Sequence, residues 1–444
     1  MRIAQLARAL RARELSCVEL IERTLREIEA RDIYRSFITK TAEDALQQAA
    51  LRDKELRSGT DRGPLHGIPI AHKDLLYTRG VRTTAGSLVF RDFVPEYDAG
   101  AVIRLREAGA ISIGKTNLHE LAYGVTSKNP HFGFVLNPRD TKRIAGGSSG
   151  GSATLVAAGL LPLTTGTDTG GSIRIPASFC GIAGLKPSYG RVSCKGVLPL
   201  SFGLDHVGPL ASCVEDCAIA MDALVPGEKF HLPALENLKG IRVGVPENFY
   251  FDRIDPEVAA AVNGALASFE RLGAAIDGIK VPDPVEMNAA ARIVQLCETS
   301  ALYADHGDAS LFSREVWDLL QQGRLVAGHD YVNAQRMRAV FSREWDAIWK
   351  KIDIVATPTT PTGAPLLEQR KITLNGKNED VRLASTRLVR AFNYLGEPAL
   401  SMPCGATSQG LPIGLQLISA PFTEPRLLQV AQTLESDLRI DFTR

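Results

Sequence analysis

Residues Arg143 to Pro187 read RIAGGSSGGSATLVAAGLLPLTTGTDTGGSIRIPASFCGIAGLKP. Two Gly/Ser clusters, 146–152 and 166–172, flank an apolar run over residues 153–163. The run has the length and composition of a buried helix leading into a strand. Glycine permits positive φ and lets another chain or a ligand approach the backbone closely. Serine hydroxyls beside such backbone describe a site built from N–H groups and hydroxyl oxygens. The bland alternative is a pair of flexible loops, and a hydrophobic helix between them argues against it.

The 444 residues around this stretch suffice for one large α/β domain or two ordinary ones. With 51 Lys+Arg against 50 Asp+Glu, the net charge of +1 gives no surplus for nucleic acid or a membrane surface. The seven cysteines are odd in number and lack zinc or redox spacing. They read as buried reduced thiols, with Cys213 and Cys217 on one helix face, and point to a reducing cytoplasm. The N-terminus lacks a secretory pattern, and no window approaches about 18 uninterrupted apolar residues, so no membrane span is expected.

Helical spacing predicts two amphipathic helices within residues 2–30, with Ser16 and Glu19 as a capping box, and a third over 42–56. Residues 68–71 read as a short buried strand, with Pro69 marking an edge or irregular position. That strand delivers Lys73 and Asp74 to its end. Further expectations are helix 101–108, strand 111–114, helix 214–224, a β–α unit from strand 241–245 and helix 256–272, and a mostly helical region over 285–350. Trp317, Tyr331, Trp345 and Trp349 are read there as packing residues. A strand from 352, strands 399–403 and 414–419, and a closing helix 424–438 complete the pattern. One domain over 1–444 is expected, with N-terminal helices in 1–60, a catalytic core in 61–225 and the helical subregion 285–350.

Three short patterns are weighed as decoys. Residues 109–116, GAISIGKT, fit the P-loop expression, but Ile111 and Ile113 look like strand residues rather than a phosphate cradle. Ser112 to Lys115 fits S-x-x-K without its partner motifs. Residues 147–151, GSSGG, fit G-x-S-x-G, yet polar Thr141-Lys142-Arg143 lies upstream where a nucleophile elbow needs an apolar strand. None of the eight histidines lies in a Gly/Ser cluster, and no metal spacing appears. A hydrolase pairing serine with lysine is therefore a separate hypothesis.

At this point the chain resembles the amidase signature family. Residues 143–187 match its signature, including GGSSGGS and DTGGSIRIP. The segments 67–74 (GIPIAHKD), 114–117 (GKTN), 184–187 (GLKP) and 411–416 (LPIGLQ) also fit. The resemblance implies an α/β amidase signature fold: a large twisted mixed β-sheet flanked on both faces by α-helices. It implies Ser172 as acylated nucleophile, Ser148 as bridging serine, usually in a cis peptide, and Lys73 as general base. The N–H groups of Thr169, Gly170, Gly171 and Ser172 would form the oxyanion hole. No metal or organic cofactor is implied. Arg174, the cation nearest the nucleophile in sequence, is read either as a substrate-carboxylate ligand or as a structural ion pair with Asp168.

Within the family the expectation is a free-standing amidase for a small linear carboxamide or urea-type substrate, with a homodimer as a compatible assembly. The alternative is the glutamine-hydrolysing component of a tRNA-dependent amidotransferase. The resemblance to that component leads one to look for an Arg pair after Glu-Val and for an Asp ahead of a late segment. Here Glu315-Val316 is followed by Trp317-Asp318-Leu319, and Thr386 stands where the Asp is sought. Outside the enzyme class of hydrolases, the competing readings are a P-loop nucleotide-binding protein and a catalytically dead binding component.

Overall fold

The structure is a computed structural model that describes residues 2–440 and 442. The chain opens with α1 (Ile3–Arg11) and α2 (Cys17–Arg31), which turn Ile3, Leu6 and Leu10, then Cys17, Leu20, Ile21 and Ile28, into the core. Ser16 and Glu19 form the expected capping box. After β1 (Phe37–Lys40) comes α3 (Ala42–Arg57).

The remaining major strands are β2 (Pro69–Lys73), β3 (Ile111–Thr116), β4 (Leu163–Asp168), β5 (Ala183–Lys186), β6 (His206–Ala211), β7 (Arg242–Pro246), β8 (Ala275–Ile279), β9 (Ile354–Pro358), β10 (Ala399–Ala406) and β11 (Pro412–Ile418). They form one 11-stranded mixed sheet ordered β1-β3-β2-β4-β6-β5-β10-β11-β9-β7-β8. β2 runs parallel to both β3 and β4, whereas β6 is antiparallel to both β4 and β5. β5 pairs with β10 antiparallel, joining the strands around the Gly/Ser clusters to the late strands.

Helices flank this sheet: α4 (Gly100–Glu107), α5 (Gly150–Ala157), α6 (Arg174–Cys180), α7 (Val214–Leu224), α8 (Pro256–Arg271), α9 (Pro284–Tyr303), α10 (Arg314–Arg324), α11 (Gly328–Trp349), α12 (Val381–Arg387), α13 (Ala391–Leu395) and α14 (Glu424–Leu438). α5 and α6 are buried along their whole length and share an apolar cluster with Leu210 of β6, including Ala153, Val156, Ile173 and Ala177. A single larger core cluster extends from Ile3 to Leu434.

Several expectations shift. The helix after the first cluster begins at Gly150 and ends at Ala157, so the cluster itself forms its first turn. Pro69 is not at an edge, since β2 lies inside the sheet; as first residue of its strand it has no ladder N–H to lose, and the ladder is irregular only between Ile70 and His72. The strand runs on to Lys73 and so carries that side chain itself. Trp345 is fully buried, and the cysteines are all unpaired, but Cys194 is exposed and Cys297 half-buried rather than buried. No helix among the described residues is long and apolar enough to cross a membrane.

Candidate active site

The two Gly/Ser clusters meet directly. The N–H of Ser149, in the first, donates to the carbonyl of Ser172, in the second, at 3.2 Å. The Ser148 carbonyl accepts from the N–H of His119 at 3.1 Å and from Ser127 Oγ at 3.2 Å, which fixes the first loop. The Gly147–Ser148 peptide is cis. Close packing explains the glycines here. A Cβ on Gly151 would stand 2.4 Å from the Ser36 carbonyl oxygen and 2.5 Å from that of Asn117.

Lys73 enters this junction from the end of β2. It is completely buried, and its Nζ lies 2.7 Å from Ser148 Oγ, 2.9 Å from Ser149 Oγ and 2.8 Å from Thr167 Oγ1. Burial brings its pKa down to about 7, against an opposing pull from Asp168 and Asp205. Ser149 occupies the N-cap position of α5, yet makes no side-chain cap. Its hydroxyl is taken by Lys73 and donates to the Thr167 carbonyl at 3.2 Å.

The second cluster is shaped by one carboxylate. Asp168, at the end of β4, accepts from the N–H of Gly171 at 2.7 Å and of Ile173 at 3.1 Å, and from Asn393 Nδ2 at 2.8 Å. Arg174 meets it with Nε and Nη2, both at 3.0 Å. Burial alone would raise the Asp168 pKa, but the Arg174 charge and these hydrogen bonds hold it well below the ordinary carboxylate range. Arg174 is also fully buried, donating further to Gln416 at 2.6 Å, Asn393 at 2.6 Å and the Val389 carbonyl at 3.0 Å. Its donors are consumed within the fold, so the ion pair with Asp168, not a substrate carboxylate, accounts for it. Gly171 has φ +114°, and its N–H is committed to Asp168. Thr169, Gly170 and Ser172 are left as the N–H candidates for an oxyanion.

Ser172 is 5% exposed and faces a cavity of about 80 Å³, which Thr169 and Gly170 also line. Tyr123, α9 (Arg292, Gln295), α12 (Arg382, Thr386) and Arg390 supply the facing wall. Sequence reasoning had singled out only Thr386 among these wall residues, as a substrate-recognition position; Tyr123, Arg292, Gln295, Arg382 and Arg390 were missed, because they come from segments far apart in the chain. Ser149 and Thr167 were also missed as Lys73 partners. Ser149 lies within the quoted cluster, and Thr167 is one residue ahead of Asp168, so proximity to the signature was the available signal.

The decoys resolve structurally. Lys115 belongs to strand β3 and is completely buried, donating to the Leu76 carbonyl and Thr83 Oγ1, each at 2.6 Å, beside Asp74 at 3.4 Å. No phosphate loop exists there. His72 is held by Thr165 and His206 by the carbonyls of Leu204 and Asp168, so neither stands as a base for Ser172.

A buried lysine on two serine hydroxyls, with a glycine-rich turn beside a third serine, is an arrangement chemically able to support a serine nucleophile. Residues 19–428 match the family model described as Amidase, and the chain belongs to the amidase signature family. It is 37% identical to the A component of the glutamyl-tRNA(Gln) amidotransferase of Moorella thermoacetica, over 97% of this chain and 95% of that protein. Among solved structures it superposes with a TM-score of 0.95, 35% identity and 99% coverage of both chains on one described as "An unexpected vestigial protein complex reveals the evolutionary origins of an s-triazine catabolic enzyme". It superposes on the native peptide amidase from Stenotrophomonas maltophilia with a TM-score of 0.85 and 29% identity, covering 99% of this chain and 97% of that one.

Proposed function

We propose that this chain hydrolyses the C–N bond of a small linear amide or urea-type substrate through an acyl-enzyme on Ser172. The observation that carries the reading is the buried Lys73 amine, brought to a pKa of about 7 and set 2.7 Å from Ser148 Oγ. Neutral Lys73 takes a proton from Ser148 as Ser148 takes one from Ser172. Ser172 Oγ bonds to the substrate carbon, and negative charge moves onto its oxygen. N–H groups of Thr169, Gly170 and Ser172 receive that charge, and one such donor contributes about 3–4 kcal/mol in comparable sites. The C–N bond then breaks, and the departing nitrogen takes its proton back through Ser148. Water repeats the relay and releases the acid.

A second reading, the glutamine-hydrolysing component of an amidotransferase, is favoured over the free-standing amidase by curated relatives that carry the amidotransferase name at 36–38% identity over 92% or more of the chain. Against it stand Trp317-Asp318-Leu319 after Glu315-Val316, where an Arg pair was sought, and Thr386 in the cavity wall, where an Asp was sought. The neighbour described in terms of s-triazine catabolism supports a nitrogen-rich, urea-type substrate, because an s-triazine ring alternates carbon with nitrogen. The same description names a protein complex, which supports looking for a protein partner as well as a homodimer.

Treatment with a fluorophosphonate probe and peptide mapping tests the nucleophile. Labelling at Ser172 is expected, and labelling elsewhere or none removes the assignment. Ammonia release from glutamine, small amides and ureas then separates the two readings.

A further inference from the structure

The cavity facing Ser172 carries cationic charge that the fold leaves unbalanced. Three arginines line it, Arg292, Arg382 and Arg390, and no Asp or Glu is among its described lining residues. Arg382 is balanced from outside by Glu315 at 2.9 Å and Asp380 at 3.4 Å. Arg390 Nε is sealed from solvent and has no hydrogen-bond partner among the described residues. The charged group acting on it most strongly is another guanidinium, that of Arg292. Like charges lining one cavity beside a buried donor without a partner cost stability unless an anion joins them.

The position of Arg390 gives the cavity a direction. A Cβ on Gly170 would lie in ordinary contact with Arg390 Nε, at 3.5 Å, and with Gln295 Oε1, at 3.9 Å, so the guanidinium lies beside the nucleophile loop. Gly170 and Ser172 are two residues apart, a span of at most about 7 Å. An anion on Arg390 therefore sits only a few bonds from a carbon on Ser172. Planar guanidinium matches carboxylate in a bidentate fork.

We propose that Arg390 and Arg292 bind a carboxylate of the substrate, so that the amide or urea cleaved at Ser172 is a short monoanion rather than a neutral amide or a zwitterion. The inference rests on Ser172 as nucleophile. Glutamine supplies a carboxylate but also an ammonium group, and the cavity lining offers that ammonium no acidic partner.

The test is protection of Ser172 from the fluorophosphonate probe. Succinate and glutarate are compared with the neutral isosteres succinamide and glutaramide. In the wild type the dicarboxylates should slow labelling at concentrations about a hundredfold below the diamides, a ratio in line with charge-assisted hydrogen bonds. Arg390→Gln should shift the dicarboxylate curve by a similar factor towards that of the diamides. Equal protection by both classes in the wild type, or none by either, overturns the anion site without any variant. Undiminished dicarboxylate protection in Arg390→Gln removes Arg390 from it. Absence of labelling at Ser172 without any protectant fails the nucleophile assignment instead. Among turnover substrates, glutaramate, the glutamine skeleton without its ammonium, should exceed glutamine in kcat/KM, and the reverse order overturns the preference for a monoanion.

Discussion

At the scale of one residue, Lys73 carries two consequences of the same burial. A lysine near its ordinary pKa of about 10.4 is protonated at neutral pH and accepts nothing. With a folded-state pKa of about 7, a substantial share is neutral at working pH. As the proposed base, it makes kcat/KM rise about tenfold per pH unit below 7 and level off above it, which a pH profile on any turned-over substrate measures. Lys73→Ala should lower turnover by about 10²–10⁴-fold. The depressed pKa also has a stability cost with a definite sign. Between pH 7 and about 10 the unfolded chain binds a proton at this lysine that the folded chain does not, so its contribution to stability falls as pH is lowered through that window. Lys73→Met should gain on the wild type from pH 10 down to 7 and no further below. A pH-independent difference between the two melting curves would mean that Lys73 titrates alike in both states.

At the scale of the element, the turn from β4 into α6 is set by Asp168, which holds two N–H groups of the turn and the guanidinium of Arg174. The turn needs a glycine at 171, where φ is +114° and a Cβ would meet Val389 Cγ2 at 2.4 Å and Ile175 Cδ1 at 2.7 Å. Asp168→Asn leaves the buried Arg174 cation without its counter-charge and should destabilise the protein by about 3–5 kcal/mol. Urea unfolding measures this, and a change within about 0.5 kcal/mol would show that Arg174 finds compensation elsewhere. The helix α5 follows a similar logic. Its N-cap serine gives up capping to hold Lys73 and Thr167, and the Gly150 N–H turns to Ser127 Oγ at 3.2 Å instead.

At the scale of the molecule, the site depends on strands distant in sequence. β5 and β6 are bounded by β4 on one side and by β10 on the other, so residues 399–406 complete the sheet that carries β2 and β4. We expect one cooperative unfolding transition for the whole chain. A fragment of residues 1–225 should fail to fold, because it exposes the β5 edge and loses β10, β11 and α14 from the core. A separate early transition, or a soluble, cooperatively melting fragment, would instead place a domain boundary near residue 225.

Much of this was legible in the order of residues. The capping box at Ser16 and Glu19, helices 214–224 and 424–438, and the paired Gly/Ser clusters depend on local spacing and local backbone freedom, which sequence records directly. The signature determined the family and named Lys73, Ser148 and Ser172 as a set. Only the tertiary structure decided that Ser149 and Thr167 also hold Lys73, that Arg174 is spent on Asp168, and that Arg292 and Arg390 line the cavity that Ser172 faces. Those facts arise from burial and from contacts between segments far apart in the chain. A lysine acquires a pKa near 7, and an arginine becomes a vacant donor, only when packing removes water from around it.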